Sequence, residues 1–303
     1  MKIRWWSCWQ RLMMVVFVVV ALILDMTTSD PQIYLIHKAC SGTPASVFTN
    51  LNSMDSFFAD IRRELSNKDT HYAIRETALG DFPTVYIMVQ CRIYLSAADC
   101  VGCFDTAVSE LRTCPSSIGA HITYDGCFLR YEIYKFDDQA VQAEAAPHRK
   151  CGNQSESQAT AFNAAVKQLL ADLKVATPKI INGSFAAAKS EVAGGSAAVY
   201  AVAQCIKTLN ESRCQYCLTV AHDDLYYCVP AAYGRAFEVG CFLRYSKTPF
   251  FADNQTINIT HFLGGGSTGD NGRTPFLGEG SGSARDGNKH RLAIIIGNII
   301  IEK

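Results

Sequence analysis

Twelve of the thirteen cysteines fall into two sets of six with nearly the same internal spacing. The first set is Cys40, Cys91, Cys100, Cys103, Cys114 and Cys127, and the second is Cys151, Cys205, Cys214, Cys217, Cys228 and Cys241. From the second cysteine of each set onward the steps are nine, three, eleven and thirteen residues in both. Only the first interval differs, at 51 residues against 54. Four equal consecutive intervals identify a tandem duplication of one cysteine-framed domain. An even count per unit points to disulfides, and so to an oxidising compartment.

The N-terminus agrees. Lys2, Arg4 and Arg11 precede an apolar run from Leu12 to Leu24, and Thr27, Thr28 and Ser29 follow it. That order is the one a secretory signal peptide shows, and the run falls short of the roughly 20 apolar residues that span a bilayer. Cys8 lies inside this N-terminal segment and is expected to leave with it. Five N-x-[ST] sequons, at Asn153, Asn182, Asn210, Asn254 and Asn258, are the expected glycosylation sites of a secreted chain. With 28 basic and 28 acidic residues and no basic stripe, the chain does not look like a nucleic-acid binder.

Along each unit the pattern reads helix, strand, helix, then strands. Leu51, Met54, Phe58, Ile61 and Leu65 form one helical stripe, and Phe162, Val166, Leu169, Leu170 and Leu173 form its counterpart. Strand-like stretches, 85–93 and 198–206, deliver the second cysteine of each set. Ser96 and Asn210 are expected to cap the next helix in each unit. Two cysteines three apart on a helix share a face and bond each other poorly, so each is expected to reach a different partner. Both units close on Gly-Cys-Phe-Leu-Arg-Tyr, at 126–131 and 240–245. As a strand this puts Cys, Leu and Tyr on one face and Phe and Arg on the other.

The expected boundaries are a signal peptide at 1–29, a first domain at 30–136, a linker at 137–150 and a second domain at 151–262. A glycine-rich stalk at 263–291 and a short apolar tail at 292–303 follow. The apolar run Leu292 to Ile301 is too short for a stable membrane span. Zinc would need reduced thiolates, so neither metal nor cofactor is expected. No catalytic constellation is found. Gly265 to Gly269 matches a nucleophile-elbow pattern, and Gly264, Gly266 and Gly269 match a dinucleotide-loop pattern, but a stalk supplies neither flanking strand nor helix. His71, His121, His148, His222 and His261 read as solvated or hydrogen-bonded surface histidines.

The repeated C-x8-C-x2-C core, at Cys91, Cys100 and Cys103 and at Cys205, Cys214 and Cys217, together with the G-C-F-L-R-Y closings, resembles the ginkbilobin-homologous (salt-stress response/antifungal) domain of plants. The resemblance covers about residues 30 to 262. It extends to the ectodomains of cysteine-rich receptor-like kinases, above all in residues 240–256, and to cysteine-rich repeat secretory and plasmodesmata-located proteins. It implies an α+β fold, a five-stranded antiparallel sheet with two helices packed on it, in each unit. Six cysteines allow 15 pairings. The resemblance implies Cys40 with Cys114, Cys91 with Cys100 and Cys103 with Cys127, then Cys151 with Cys228, Cys205 with Cys214 and Cys217 with Cys241. In the mannose-binding family founder, an Asn, an Arg and a Glu form the sugar site. Ser41, His121 and Glu132 stand at those places in the first unit, and Gly152, Arg235 and Ser246 in the second. Glu132, His121 and Arg235 are therefore the candidate carbohydrate-binding residues, and solvated strand-end charges are the other reading of Glu132 and Arg235.

The function expected is a non-catalytic extracellular recognition module, a receptor-like kinase ectodomain lacking its kinase, in plant defence or stress signalling. Its partner would be an extracellular ligand or receptor-like protein. A secreted mannose-binding antifungal protein, with a glycan ligand, is the alternative, and a plasmodesmata-located regulator of cell-to-cell transport is a second. The expected location is the apoplast. A longer isoform would be a single-pass plasma-membrane protein.

Overall fold

The computed structural model describes residues 32–41, 54–77, 84–114, 117–142, 148–152, 159–181, 184–195 and 197–263. The expected signal peptide, Leu51, Asn153, Asn182, the expected stalk from residue 264 and the apolar tail lie outside the described residues. The first repeat runs β1 (Leu35–Ser41), α1 (Asp55–Leu65), β2 (Tyr72–Thr77), β3 (Val85–Cys91), α2 (Ala97–Leu111), β4 (Gly119–Tyr124) and β5 (Cys127–Glu132). The second runs β6 (Arg149–Cys151), α3 (Ala159–Ala176), β7 (Phe185–Glu191), β8 (Ala198–Cys205), α4 (Glu211–Tyr226), β9 (Tyr233–Glu238) and β10 (Cys241–Ser246). Each forms one five-stranded antiparallel sheet, ordered β1-β4-β5-β3-β2 and β6-β9-β10-β8-β7.

Periodicity alone places one strand between the helices of each repeat and none before the first helix. The structure has two between the helices, and β1 or β6 ahead of them. The omitted strands are the sheet edges, where one side faces solvent and the apolar signal fades. β2 reads Tyr-Ala-Ile-Arg-Glu-Thr, and β7 is rich in alanine, a poor strand former.

The helices form where the stripes predict. Met54, Phe58, Ile61 and Leu65 are buried on the first core, and Phe162, Val166, Leu170 and Leu173 on the second. Ser96 Oγ accepts the Asp99 backbone N–H at 3.1 Å, and Asn210 Oδ1 accepts that of Arg213 at 2.9 Å. Each satisfies one of the donors a helix start leaves open.

The disulfides weld helix to sheet. Cys91 on β3 lies directly opposite Cys127 on β5. Neighbouring strands are about 4.8 Å apart, close to the spacing of Cβ atoms three residues apart on a helix. Cys100 and Cys103 of α2 therefore sit above adjacent strands and bond one to each, Cys100 to Cys91 and Cys103 to Cys127. Cys205 opposite Cys241 repeats the arrangement with Cys214 and Cys217. Cys40–Cys114 and Cys151–Cys228 tie the leading strand of each repeat to the end of its second helix.

Candidate functional site at the junction of the repeats

Strand alternation gives each sheet two faces with different work. Cys127, Leu129 and Tyr131 point into the first core. Phe128 and Arg130 point away from it, and Phe128 joins Met88, Phe136 and Ala140 in a cluster with residues of the second repeat. Ile36, Tyr94 and Leu95 of the first repeat likewise pack with Phe185, Val202, Phe237 and Phe242 of the second. The two repeats fall in one compact unit.

Polar groups lock this junction reciprocally. Gln90 Nε2 donates to the Cys205 carbonyl at 2.9 Å, and its Oε1 accepts the Lys207 backbone N–H at 2.9 Å. Gln204, at the equivalent place in the other repeat, donates to the Cys91 carbonyl at 3.0 Å and accepts the Ile93 backbone N–H at 3.2 Å. The Arg92 guanidinium lies 3.8 Å over the Phe242 ring. Burial pulls it down to about 10 despite the carboxylate of Asp125 nearby.

Where the strands run in register, they gather the sugar-site positions. Ser41, Gly119 and Glu132 lie in one row across β1, β4 and β5, with His121 two residues along and opposite Arg130. Gly119 leaves no room for a Cβ, because one would collide with the Glu132 carboxylate. In the second repeat Gly152 donates its backbone N–H to Tyr233, which pairs with Ser246 across β9 and β10, and Arg235 pairs with Arg244.

The gathered charges are committed to the protein. Glu132 is 3% exposed and accepts from Arg130 Nε at 2.9 Å. Burial raises its carboxyl group above the ordinary range, against the pull of Arg130. Arg235 is 9% exposed and holds Asp125 of the first repeat with two donors, Nε to Oδ1 and Nη2 to Oδ2 at 2.6 Å. Its guanidinium lies 4.8 Å from the Tyr34 ring and 5.0 Å from the Tyr233 ring. Neither charge is a solvated strand-end group: Glu132 is buried against Arg130 of its own strand, and Arg235 against Asp125 of the other repeat. Burial likewise overturns the surface reading of His121 and His148, which are 3% and 6% exposed.

The junction also uses residues that motif reasoning passed over. Gln32 Nε2 donates to the Phe250 carbonyl at 2.8 Å, and its Oε1 accepts from Tyr94 and from Arg244 Nη1. Tyr94 is buried there, and its hydroxyl is pushed up to about 12 by burial. For Gln90 and Gln204 the legible signal was a Gln directly before the same cysteine in both repeats, at 90–91 and 204–205. Of the sequons, Asn210, Asn254 and Asn258 are exposed in the structure. Asn258 Oδ1 accepts from the Thr260 backbone N–H and hydroxyl at 3.1 and 2.7 Å.

A profile of the salt stress response/antifungal domain family matches residues 39–134 and 150–248. The chain is 32% identical over 225 residues to Cysteine-rich receptor-like protein kinase 42 of Arabidopsis thaliana, covering 74% of this chain and 32% of that protein. It is 30% identical over 236 residues to Putative cysteine-rich repeat secretory protein 21 of the same plant, covering 74% of this chain and 88% of that one. The chain thus spans about a third of the length of the first of these relatives. In structure it is similar to the crystal structure of the tandem DUF26 ectodomain of the Arabidopsis thaliana cysteine-rich receptor-like protein PDLP8. That match has a TM-score of 0.56 and 26% identity, and covers 71% of this chain and 98% of the other.

Proposed function

Because the chain belongs to the salt stress response/antifungal domain family, carrying two copies of its domain, we propose that it is a non-catalytic extracellular recognition module. Its type is the receptor-like kinase ectodomain, and its role is in plant defence or stress signalling. Residues 39–134 and 150–248 supply the paired domains, and the ectodomain-like fold supports a binding role outside the cell. Among the described residues no helix is long and apolar enough to cross a membrane.

One observation carries this reading over the sugar-binding one. Glu132 is bonded to Arg130 and Arg235 to Asp125, so neither retained sugar-site charge is open to a ligand hydroxyl. Binding mannose there would break a buried ion pair, and separating such partners costs several kcal/mol. Recognition falls instead to exposed side chains such as Tyr34, Tyr216, Tyr227 and Tyr233, the residue type that interfaces favour.

The test uses the full chain expressed in plant cells, recovered from the apoplastic wash and titrated calorimetrically with mannose. The expected result is a glycosylated protein in the wash and no binding tighter than millimolar. Sub-millimolar mannose binding, abolished by Glu132→Ala or Arg235→Ala, would favour the antifungal lectin and overturn the proposal.

A further inference from the structure

Three imidazoles meet where the first repeat lies on the second. His37 on β1 stacks on His121 of β4, with centroids 4.8 Å apart and planes at 24°. His148, immediately before β6, meets His37 edge-on at 5.6 Å. Phe237 of β9 closes the group, 5.0 Å from His37 and 5.3 Å from His148, and Phe128 of β5 lies 6.3 Å from His121.

The charged groups around this stack are unevenly shared. From β9, Glu238 Oε1 lies 3.1 Å from His148 Nδ1, and its Oε2 accepts the Gln142 backbone N–H. From α4, Asp224 accepts the His148 backbone N–H at 3.1 Å and pairs with Arg149. From β5, Arg130 stands opposite His121 and is tied to Glu132. Among the described residues, Glu238 is the carboxylate within hydrogen-bond reach of the His148 ring. The groups acting on His121 are His37, Arg130 and His148, and each disfavours a second positive charge.

We propose that this stack is an acid-releasable clasp, in which protonation of His121 expels its ring and parts the β1–β4 side of the first repeat from the His148–Phe237 side of the second. Burial first, then these neighbours, hold the docked His121 at about 3 against an ordinary 6.5. A histidine depressed in the closed state binds fewer protons there than when released. Closure is therefore fully favoured above the released value near 6.5 and is lost as pH falls from there toward 3. The proton taken up by His121 raises the opening equilibrium by up to about tenfold per pH unit across that window. Because the stack lies between two surfaces of one chain, acid outside the cell would alter the recognition surface without touching a ligand.

The test is amide hydrogen exchange at β1, β4 and β9 of the full chain, corrected for intrinsic rates, from pH 7 to pH 4.5. An NMR titration of the histidine rings accompanies it. The expected result is opening that climbs toward about tenfold per pH unit below 6. His121→Gln should flatten the response, and His261→Gln, an exposed site, should leave it as it was. An undiminished response in His121→Gln overturns the proposal. If that variant does not fold, the wild-type titration decides. A His121 ring that charges near 6.5 with no change in exchange contradicts the clasp, and one that stays neutral until exchange accelerates supports it.

Discussion

Gln90 and Gln204 show how much of the junction rests on single side chains. Each spans the gap between the repeats with one donor and one acceptor, and each meets a buried carbonyl and a partly buried N–H. Truncation leaves those groups unpaired, at a cost of about 1–3 kcal/mol for each buried one. Gln90→Ala and Gln204→Ala are each expected to lower stability by about 2 kcal/mol in urea unfolding. The double variant should fall short of the sum by about 0.5 kcal/mol or more, because the pair brackets one shared contact. Additive losses below about 0.5 kcal/mol each, the range of ordinary surface substitutions, would contradict this. Both glutamines were visible as a repeated word beside a cysteine, yet a sequence cannot say what lies across a gap. For the same reason Glu132 and Arg235 could be placed on strands but not seen to be paired. Their partners, Arg130 and Asp125, are reached only after the sheet and then the junction have formed.

Among the elements, the helices and the closing strands were legible, since their periodicities come from burying one side on a core. Met54 to Leu65 and Phe162 to Leu173 are buried as their spacing required, and the Cys-Phe-Leu-Arg-Tyr strands split their faces as alternation dictates. β1, β2, β6 and β7 left no such trace, because a sheet edge needs little apolar pattern. The stretch that precedes β6 was expected to be a polar linker at 137–150. Its Ala140 is buried, Arg149 and Lys150 already belong to β6, and the turn into β10 packs against it. A Cβ on Gly240 would stand 2.5 Å from the Ala140 carbonyl oxygen and 2.7 Å from its Cα. That is backbone, which cannot swing aside. Gly240→Ala is therefore expected to cost about 1–3 kcal/mol by overpacking, and to raise hydrogen exchange of the residue-240 N–H, which in the native chain donates to the Ala140 carbonyl. Unchanged stability and exchange would show that the contact is slack.

At the scale of the whole molecule, the duplication has produced one unit instead of two beads. The helix-free face of each sheet carries Phe128, Arg130, Phe242 and Arg244 where an independent domain would place solvated polar groups. Met88 and Phe128 are buried in the same cluster as the second repeat's own core residues, so an isolated repeat would expose its share to water. Burial of apolar area together with a buried ion pair makes separation costly from both sides. The cysteine spacing shows that the repeats exist and that a linker joins them, but their docking depends on shapes that only the folded sheets supply. Differential scanning calorimetry of the full chain with its disulfides intact tests this account most directly. The account predicts one transition whose calorimetric and van't Hoff enthalpies agree, the mark of a single cooperative unit. Two transitions, each matching the melting of a repeat expressed alone, would contradict it.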